Sequence, residues 1–230
     1  MAANIKIKSL KIIIIGSNGQ LGNEFCKQLS DHFNIFQLSR DLFDLTEIDN
    51  FEYIINNFQP DIVINCAAIV NLDFCETNKE LALKVNATAP IALSKICDKH
   101  KIKFIHFSSD YVFDGLKKDL YSEEDDVNPL SYYGETKAMS EKGVLQSNKN
   151  SIVFRISWVY SMNFKNNFLY KIINKYNANE PLSVVSDQFG TPTSTNFIVS
   201  NIKKIFDNGK YLEMSGIFHL TPLSYISWHG

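Results

Sequence analysis

The chain has little that would send it to nucleic acid, a membrane or a metal. It carries 23 Lys and Arg against 25 Asp and Glu, a net charge of -2, so there is no basic field to attract a polyanion. The isoleucine block Ile12 to Ile15 is far shorter than a signal-peptide core or the roughly 20 apolar residues of a membrane span. Cys26, Cys66, Cys75 and Cys97 show no Cys-x-x-Cys spacing and lie in apolar or helical contexts, which suits reduced core thiols. His32, His100, His106, His219 and His229 are scattered, so no metal cluster emerges; a need for a divalent ion stays open. Internal repeats and low-complexity segments are absent too. What is present is 230 residues, 45% apolar and 21% charged, enough for one large α/β core and read here as a cytoplasmic protein.

Short β-rich apolar runs alternate with amphipathic helical stretches. Strands are expected at Lys11 to Ile15, Asn34 to Leu38, Asp61 to Asn65, Lys103 to Phe107 and Ser151 to Ser157. Helices are expected at Gln20 to Asp31, Thr46 to Phe58, Asn78 to His100 with a break near Ala89-Pro90, and Ser131 to Ser147. Nearly continuous apolar strands in this rhythm predict a Rossmann-like doubly wound α/β fold, a parallel sheet covered on both faces by helices, with ligands outside the carboxyl ends of the strands. Residues 109–129 read as an acidic loop in which Glu123-Glu124-Asp125-Asp126 is a solvated bend. After Tyr160 the rhythm loosens into a helix from Asn166 to Asn177, a strand from Leu182 to Val185, a helix from Thr195 to Asp207 and a strand from Gly216 to Leu220. Residues 1–160 are thus expected to form a dinucleotide-binding domain. Residues 161–230 are expected to form a partial substrate lobe, some of whose elements pack back on the sheet.

Two motifs carry the chemistry. Gly16-Ser17-Asn18-Gly19-Gln20-Leu21-Gly22 follows a strand and opens a helix. Gly16 permits the tight turn, Gly19 lets the backbone approach a pyrophosphate, Gly22 allows close helix packing, and the amide-rich helix start attracts the anion. Second, Tyr133 and Lys137 stand four apart at the head of a helix, hence on one face, where the ammonium can favour the phenolate. A tyrosine so placed can trade a proton near neutral pH despite an ordinary pKa of about 10. Ser109 lies at the end of the fourth strand, either as a donor to a substrate oxygen or as a serine in a turn. The second strand ends Leu38-Ser39-Arg40, where an acidic residue would read the ribose of NAD; Arg40 suits a 2'-phosphate, or else it neutralises Asp41. NADPH is therefore the expected cofactor, with NADH left open. Asp44 and Leu45 are placed beside the adenine, and the small residues Cys66, Ala67 and Ala68 leave room for the cofactor to cross the sheet edge.

This set of parts, in this order, resembles the short-chain dehydrogenase/reductase superfamily. The finer resemblance is to the dTDP-4-dehydrorhamnose reductase family, an extended branch, through Gly16 to Gly22 (GSNGQLG), Asn65 to Ala68 (NCAA), Ser108 to Gly115 (SSDYVFDG), Tyr133 to Lys137 (YGETK), Arg155 to Tyr160 (RISWVY), Ser186 to Thr193 (SDQFGTPT) and Gly216 to Thr221 (GIFHLT). The resemblance implies reduction of the C4 ketone of a dTDP-linked deoxy sugar for surface polysaccharide. The pro-S hydride of the cofactor would pass to C4, Tyr133 would donate the proton, Ser109 would polarise the ketone, and Lys137 would bind the nicotinamide ribose. It also implies substrate contacts at Ser109, Asp110 and Trp158, the last otherwise a core aromatic. Asn86 matches an asparagine that supports a proton relay in many relatives, or is a packing amide. The expected partner is the nucleotide-linked sugar, with no nucleic acid and no membrane, and a homodimer is the assembly allowed.

Two departures bear on the substrate. Ile69-Val70-Asn71 replaces the histidine or tyrosine, then threonine, usual in the family, and the sequence stops at Ser227-Trp228-His229-Gly230 where relatives continue. A form so ended is expected to hold NADPH better than the sugar nucleotide. Two competing readings follow from further resemblances: a non-catalytic regulatory subunit similar to the beta subunit of methionine adenosyltransferase, and a sugar-nucleotide epimerase or dehydratase. Arg40 and the lack of an Asp-Glu pair after Ser109 weaken the latter.

Overall fold

The computed structural model describes residues 10–165 and 167–229. In chain order the first elements are β1 (Lys11–Ile15), α1 (Gln20–Leu29), β2 (Asn34–Leu38), α2 (Phe51–Phe58) and β3 (Ile62–Asn65). Then come α3 (Leu72–Thr77), α4 (Lys79–Leu83), a π-helical turn (Lys84–Thr88), α5 (Ala89–Lys99) and β4 (Lys103–Ser109). The second half holds α6 (Tyr132–Ser147), β5 (Ile152–Ile156), β6 (Val159–Tyr160), α7 (Phe168–Asn177), β7 (Phe189–Gly190), β8 (Thr193–Ser194), α8 (Thr195–Asp207), β9 (Gly216–His219) and β10 (Ile226–Ser227).

β1 explains the architecture. Its isoleucines alternate between two faces, and both are covered. Ile12 and Ile14 pack with Phe25 and Leu29 of α1 and Ile198, Ile202 and Phe206 of α8. Ile13 and Ile15 pack with Phe51 and Ile55 of α2, Leu93 of α5 and Val144 of α6. Each fully buried side chain of this size contributes about 1.5–3 kcal/mol, so a strand apolar at every position must lie between two helical layers. The six-stranded sheet has the order β2-β1-β3-β4-β5-β9, and every pairing in it is parallel. The connection out of β1 leads to one side and that out of β2 to the other, so the order reverses at β1, where such sheets leave a crevice at their carboxyl ends. Thus α8 and β9 complete the sheet layers, whereas β7 with β10 and β6 with β8 form two small two-stranded sheets beyond them.

Four local expectations differ from the structure. The helix beginning at Lys79 does not break at Ala89-Pro90; Pro90 sits in the first turn of α5, and the preceding turn is widened so that the Ala89 N–H donates to Lys84 O. Pro lacks only a donor that a first turn can spare. α3 was not anticipated, although Asn71 caps it by accepting from the Phe74 N–H at 2.8 Å. Residues 182–185 form no strand; pairing falls on Phe189–Gly190 with Ile226–Ser227 instead. The acidic bend is only partly solvated, since Glu123 accepts the His219 N–H at 2.7 Å and Asp125 pairs with Lys117 at 2.6 Å.

Candidate active site

The glycine turn sits where the sheet order reverses. Gly16 has φ of +77°, and a Cβ there would lie 2.8 Å from Ala67 N, so the turn and the loop after β3 touch backbone to backbone. A Cβ on Gly22 would fall 2.2 Å from Gly16 O, which presses α1 onto the turn. The Gly16 and Ser17 amides both donate to Leu38 O at 2.8 and 3.2 Å, tying the turn to the end of β2 two residues before the exposed Arg40. α3, α6, α7 and α8 each have a side-chain cap at their start; α1 has Gly19 there, no side-chain cap and no acidic residue in its first turn. A helix start left bare and positive in this way fits a pyrophosphate, so the residues present suit a dinucleotide.

The other sequence-selected residues divide. Asn18 is exposed at the turn, and Cys66, Ala67 and Ala68 are half-buried beside it. Leu21 and Leu45 are buried in the core. Asp44 accepts from the Thr46 N–H at 2.8 Å, which together with the Thr46 side chain holds its carboxyl below the ordinary range. Gln20 is committed elsewhere: its Nε2 donates to Val159 O at 3.0 Å and its Oε1 accepts from Asn167 at 3.1 Å, joining α1 to β6 and α7.

At the reaction end, β4 delivers Ser109 and α6 delivers Tyr133 and Lys137, all three buried. Ser131 caps α6 by accepting from the Gly134 N–H at 3.2 Å, which fixes the turn carrying Tyr133. Burial pushes the Tyr133 phenol up, the Ser109 hydrogen bond opposes this, and Asp110 adds to it. The expected phenolate is therefore corrected: burial is the largest influence on the hydroxyl and keeps it protonated in the ligand-free protein. Lys137 is lowered to about 8 by burial, with Glu141 acting the other way. Ser109 Oγ donates to Asp110 Oδ1 at 2.9 Å and Ser157 Oγ donates to Asp110 Oδ2 at 2.6 Å, so one carboxylate orients both hydroxyls. Burial raises the Asp110 carboxyl, and those two bonds lower it. Trp158 is half-buried: its ring stacks on Trp228 at 3.6 Å, and Gly190 abuts it.

Asn86 is fully buried, in the π-helical turn, where such turns often mark functional sites. Its Oδ1 accepts from Ile69 N at 2.8 Å and its Nδ2 donates to Ile69 O at 2.9 Å and Thr136 Oγ1 at 3.3 Å, which makes it the amide that packs the loop after β3 against α6. Sequence reasoning missed His106, which lies 3.4 Å from Lys137 Nζ, and the buried pair of Arg155 with Glu141, two bonds of 2.8 Å joining β5 to α6. His106 has the alternation of β4 as its signal, two residues from Phe104 on the α6 side; the ion pair has none, because it links residues 14 apart on different elements.

The RmlD substrate binding domain family matches residues 10–230. A dTDP-4-dehydrorhamnose reductase of Burkholderia thailandensis is 32% identical, with 96% of this chain and 76% of that protein covered. A crystal structure of the dTDP-4-dehydrorhamnose reductase of Clostridium acetobutylicum superposes with a TM-score of 0.88 at 37% identity, covering 95% of this chain and 76% of that one. That of the Bacillus anthracis enzyme in complex with NADP gives 0.89 at 29% identity, with 96% and 78% covered. The chain belongs to the RmlD family, that of the dTDP-4-dehydrorhamnose reductases.

Proposed function

We propose that the protein reduces the C4 ketone of a dTDP-linked 4-keto-6-deoxy sugar with NADPH, in the cytoplasm, as a step toward a surface polysaccharide. The observation that carries this reading is that a bare, glycine-lined helix start after β1 and the Ser109 end of β4, with the buried Tyr133 of α6, lie at the same carboxyl edge of one parallel sheet, with β3 between the two strands. The cofactor supplies a hydride when bound. In this reading Gly16, Asn18, Gly19 and Gly22 cradle its pyrophosphate, Arg40 takes the 2'-phosphate, and Cys66, Ala67 and Ala68 give it passage across the sheet edge. Lys137 donates to the nicotinamide ribose. The Ser109 hydroxyl, turning its hydrogen from Asp110 to the substrate, donates to the ketone oxygen, and the Tyr133 hydroxyl proton goes to that oxygen as the hydride reaches C4, leaving an alcohol and a tyrosinate for Lys137 to offset. A phenol kept protonated by burial is the state a proton donor requires. Trp158 belongs to the sugar-nucleotide side, where residues beyond β6 form the two small sheets. The test is loss of reduced-nicotinamide absorbance over a panel of nucleotide-linked 4-keto sugars. Turnover with dTDP-4-keto-6-deoxy sugars is expected, and none with any member of the panel would refute the reading.

A further inference from the structure

A buried polar cluster lies under the loop that follows β3, and its centre is His106, which is 1% exposed. Asn65 Nδ2 stands 3.3 Å from His106 Nδ1, Ser140 Oγ stands 2.7 Å from Nε2, and Lys137 Nζ stands 3.4 Å from the same Nε2. The far end of the network fixes where the ring proton sits. The Ala67 N–H donates to Asn65 Oδ1 at 3.1 Å, so the end of that amide facing the imidazole is its NH2 group. An NH2 group only donates, and Nδ1 must be the bare nitrogen that accepts. Burial, with the Lys137 charge adding to it, holds His106 well below its ordinary value, so the ring is neutral and carries its one hydrogen on Nε2. That hydrogen goes to the nearer Ser140 oxygen.

The imidazole thus offers Lys137 no lone pair, although it is the polar group beside it. Glu141, one turn further along α6, is held by Arg155 through two bonds. An ammonium has three donors and no acceptor; with the imidazole hydrogen given to Ser140 and Glu141 held by Arg155, those donors are free to turn to the cleft. We propose that His106 is a positioning residue for Lys137: fixed by Asn65 as the Nε2–H tautomer, it walls off the sheet and turns the lysine donors toward Tyr133 and the cofactor ribose. The inference rests on the role given to Lys137 above. One side chain, Asn65, then sets both the tautomer and the position of Ala67 in the cofactor loop.

Nitrogen NMR of the histidine rings in the unmodified chain is the first measurement. It is expected to show His106 neutral at pH 7 with its hydrogen on Nε2; an imidazolium, or a hydrogen on Nδ1, overturns the proposal. Binding of NADPH, followed by fluorescence without substrate, is the second. His106→Glu gives the ammonium a carboxylate behind it and is expected to weaken NADPH by about tenfold or more, the worth of a hydrogen bond to a charged group. His106→Phe keeps the wall and offers no acceptor, so it should weaken NADPH less; equal losses in the two variants mean packing alone and overturn the proposal. Should the glutamate variant fail to fold, the ring NMR and a large loss in His106→Phe each remain able to refute it. Lys137→Ala separates the two readings. Unchanged NADPH affinity there removes the role of Lys137 and this inference with it, whereas a clear loss there with the wrong tautomer at His106 removes the inference alone.

Discussion

Tyr133 illustrates how one environment sets one protonation state. Its ring is buried against Tyr111 at 5.7 Å, and desolvation outweighs the Ser109 bond, so the hydroxyl is held as a donor until a ligand changes its surroundings. Tyr133→Phe keeps the ring and removes only the proton; turnover should drop by about 10²- to 10⁴-fold, the usual worth of general acid catalysis, with NADPH affinity nearly intact. Steady-state kinetics beside a cofactor titration check both halves, and unchanged turnover of a keto sugar would end the assignment. Arg40 is the second single-residue case. It is exposed two residues past Leu38, whose carbonyl anchors the glycine turn, so it stands at the carboxyl end of β2 without a core role. Arg40→Ala should reduce the preference for NADPH over NADH by one to two orders of magnitude, about 1.5–3 kcal/mol for a hydrogen bond to a charged group. Equal affinities for the two cofactors in the unmodified protein would show that the guanidinium points elsewhere.

Between β1 and α1 the chain has no spare volume, and the glycine turn behaves as one piece with the helix it opens. Gly22→Ala would drive a methyl to within 2.2 Å of Gly16 O, so either α1 lifts from the turn or the turn opens away from Ala67. The expected result is a lower melting temperature together with loss of NADPH binding; a variant that binds NADPH normally would mean that the helix start does not face the pyrophosphate. These elements were legible because their signals are local: the continuous apolar run of β1, glycines at fixed offsets, and the helical pattern after Ser194 that predicted Thr195–Asp207 to the residue. What was not legible depends on partners distant in sequence. From the π-helical turn Asn86 reaches Ile69 and Thr136, Glu123 finds the backbone of His219, and strand pairing falls on Phe189–Gly190 with Ile226–Ser227 rather than on residues 182–185. At the site, the glycines and the Tyr133, Lys137 spacing could be read directly. The neighbours that adjust them, His106, Ser140 and the Arg155 pair with Glu141, could not, because only the packing of β4 and β5 against α6 brings them together.

For the molecule as a whole, the arrangement of Lys137 sets function against stability. The lysine is 2% exposed, and burial lowers its pKa from 10.5 to about 8 while an unfolded chain leaves it near its ordinary value. The sign follows from proton counting: between pH 8 and 10.5 the unfolded state binds more protons, so stability rises with pH across that window. Below pH 8 both states are protonated and the whole difference is a constant cost to the fold, of order 3 kcal/mol at 1.36 kcal/mol per pK unit. A domain of this kind holds only about 5–15 kcal/mol in total, so the cost is a sizeable share of it. Lys137→Met keeps the length of the side chain and removes the buried charge. Urea denaturation of the ligand-free protein should therefore show the variant more stable by about 3 kcal/mol at pH 7, with the gain shrinking toward zero as pH approaches 10.5. The same variant should bind NADPH poorly and turn over little. A Lys137→Met protein no more stable than the parent at pH 7 would mean that the ammonium is solvated in the free protein, and that the site does not hold it dry before the cofactor arrives.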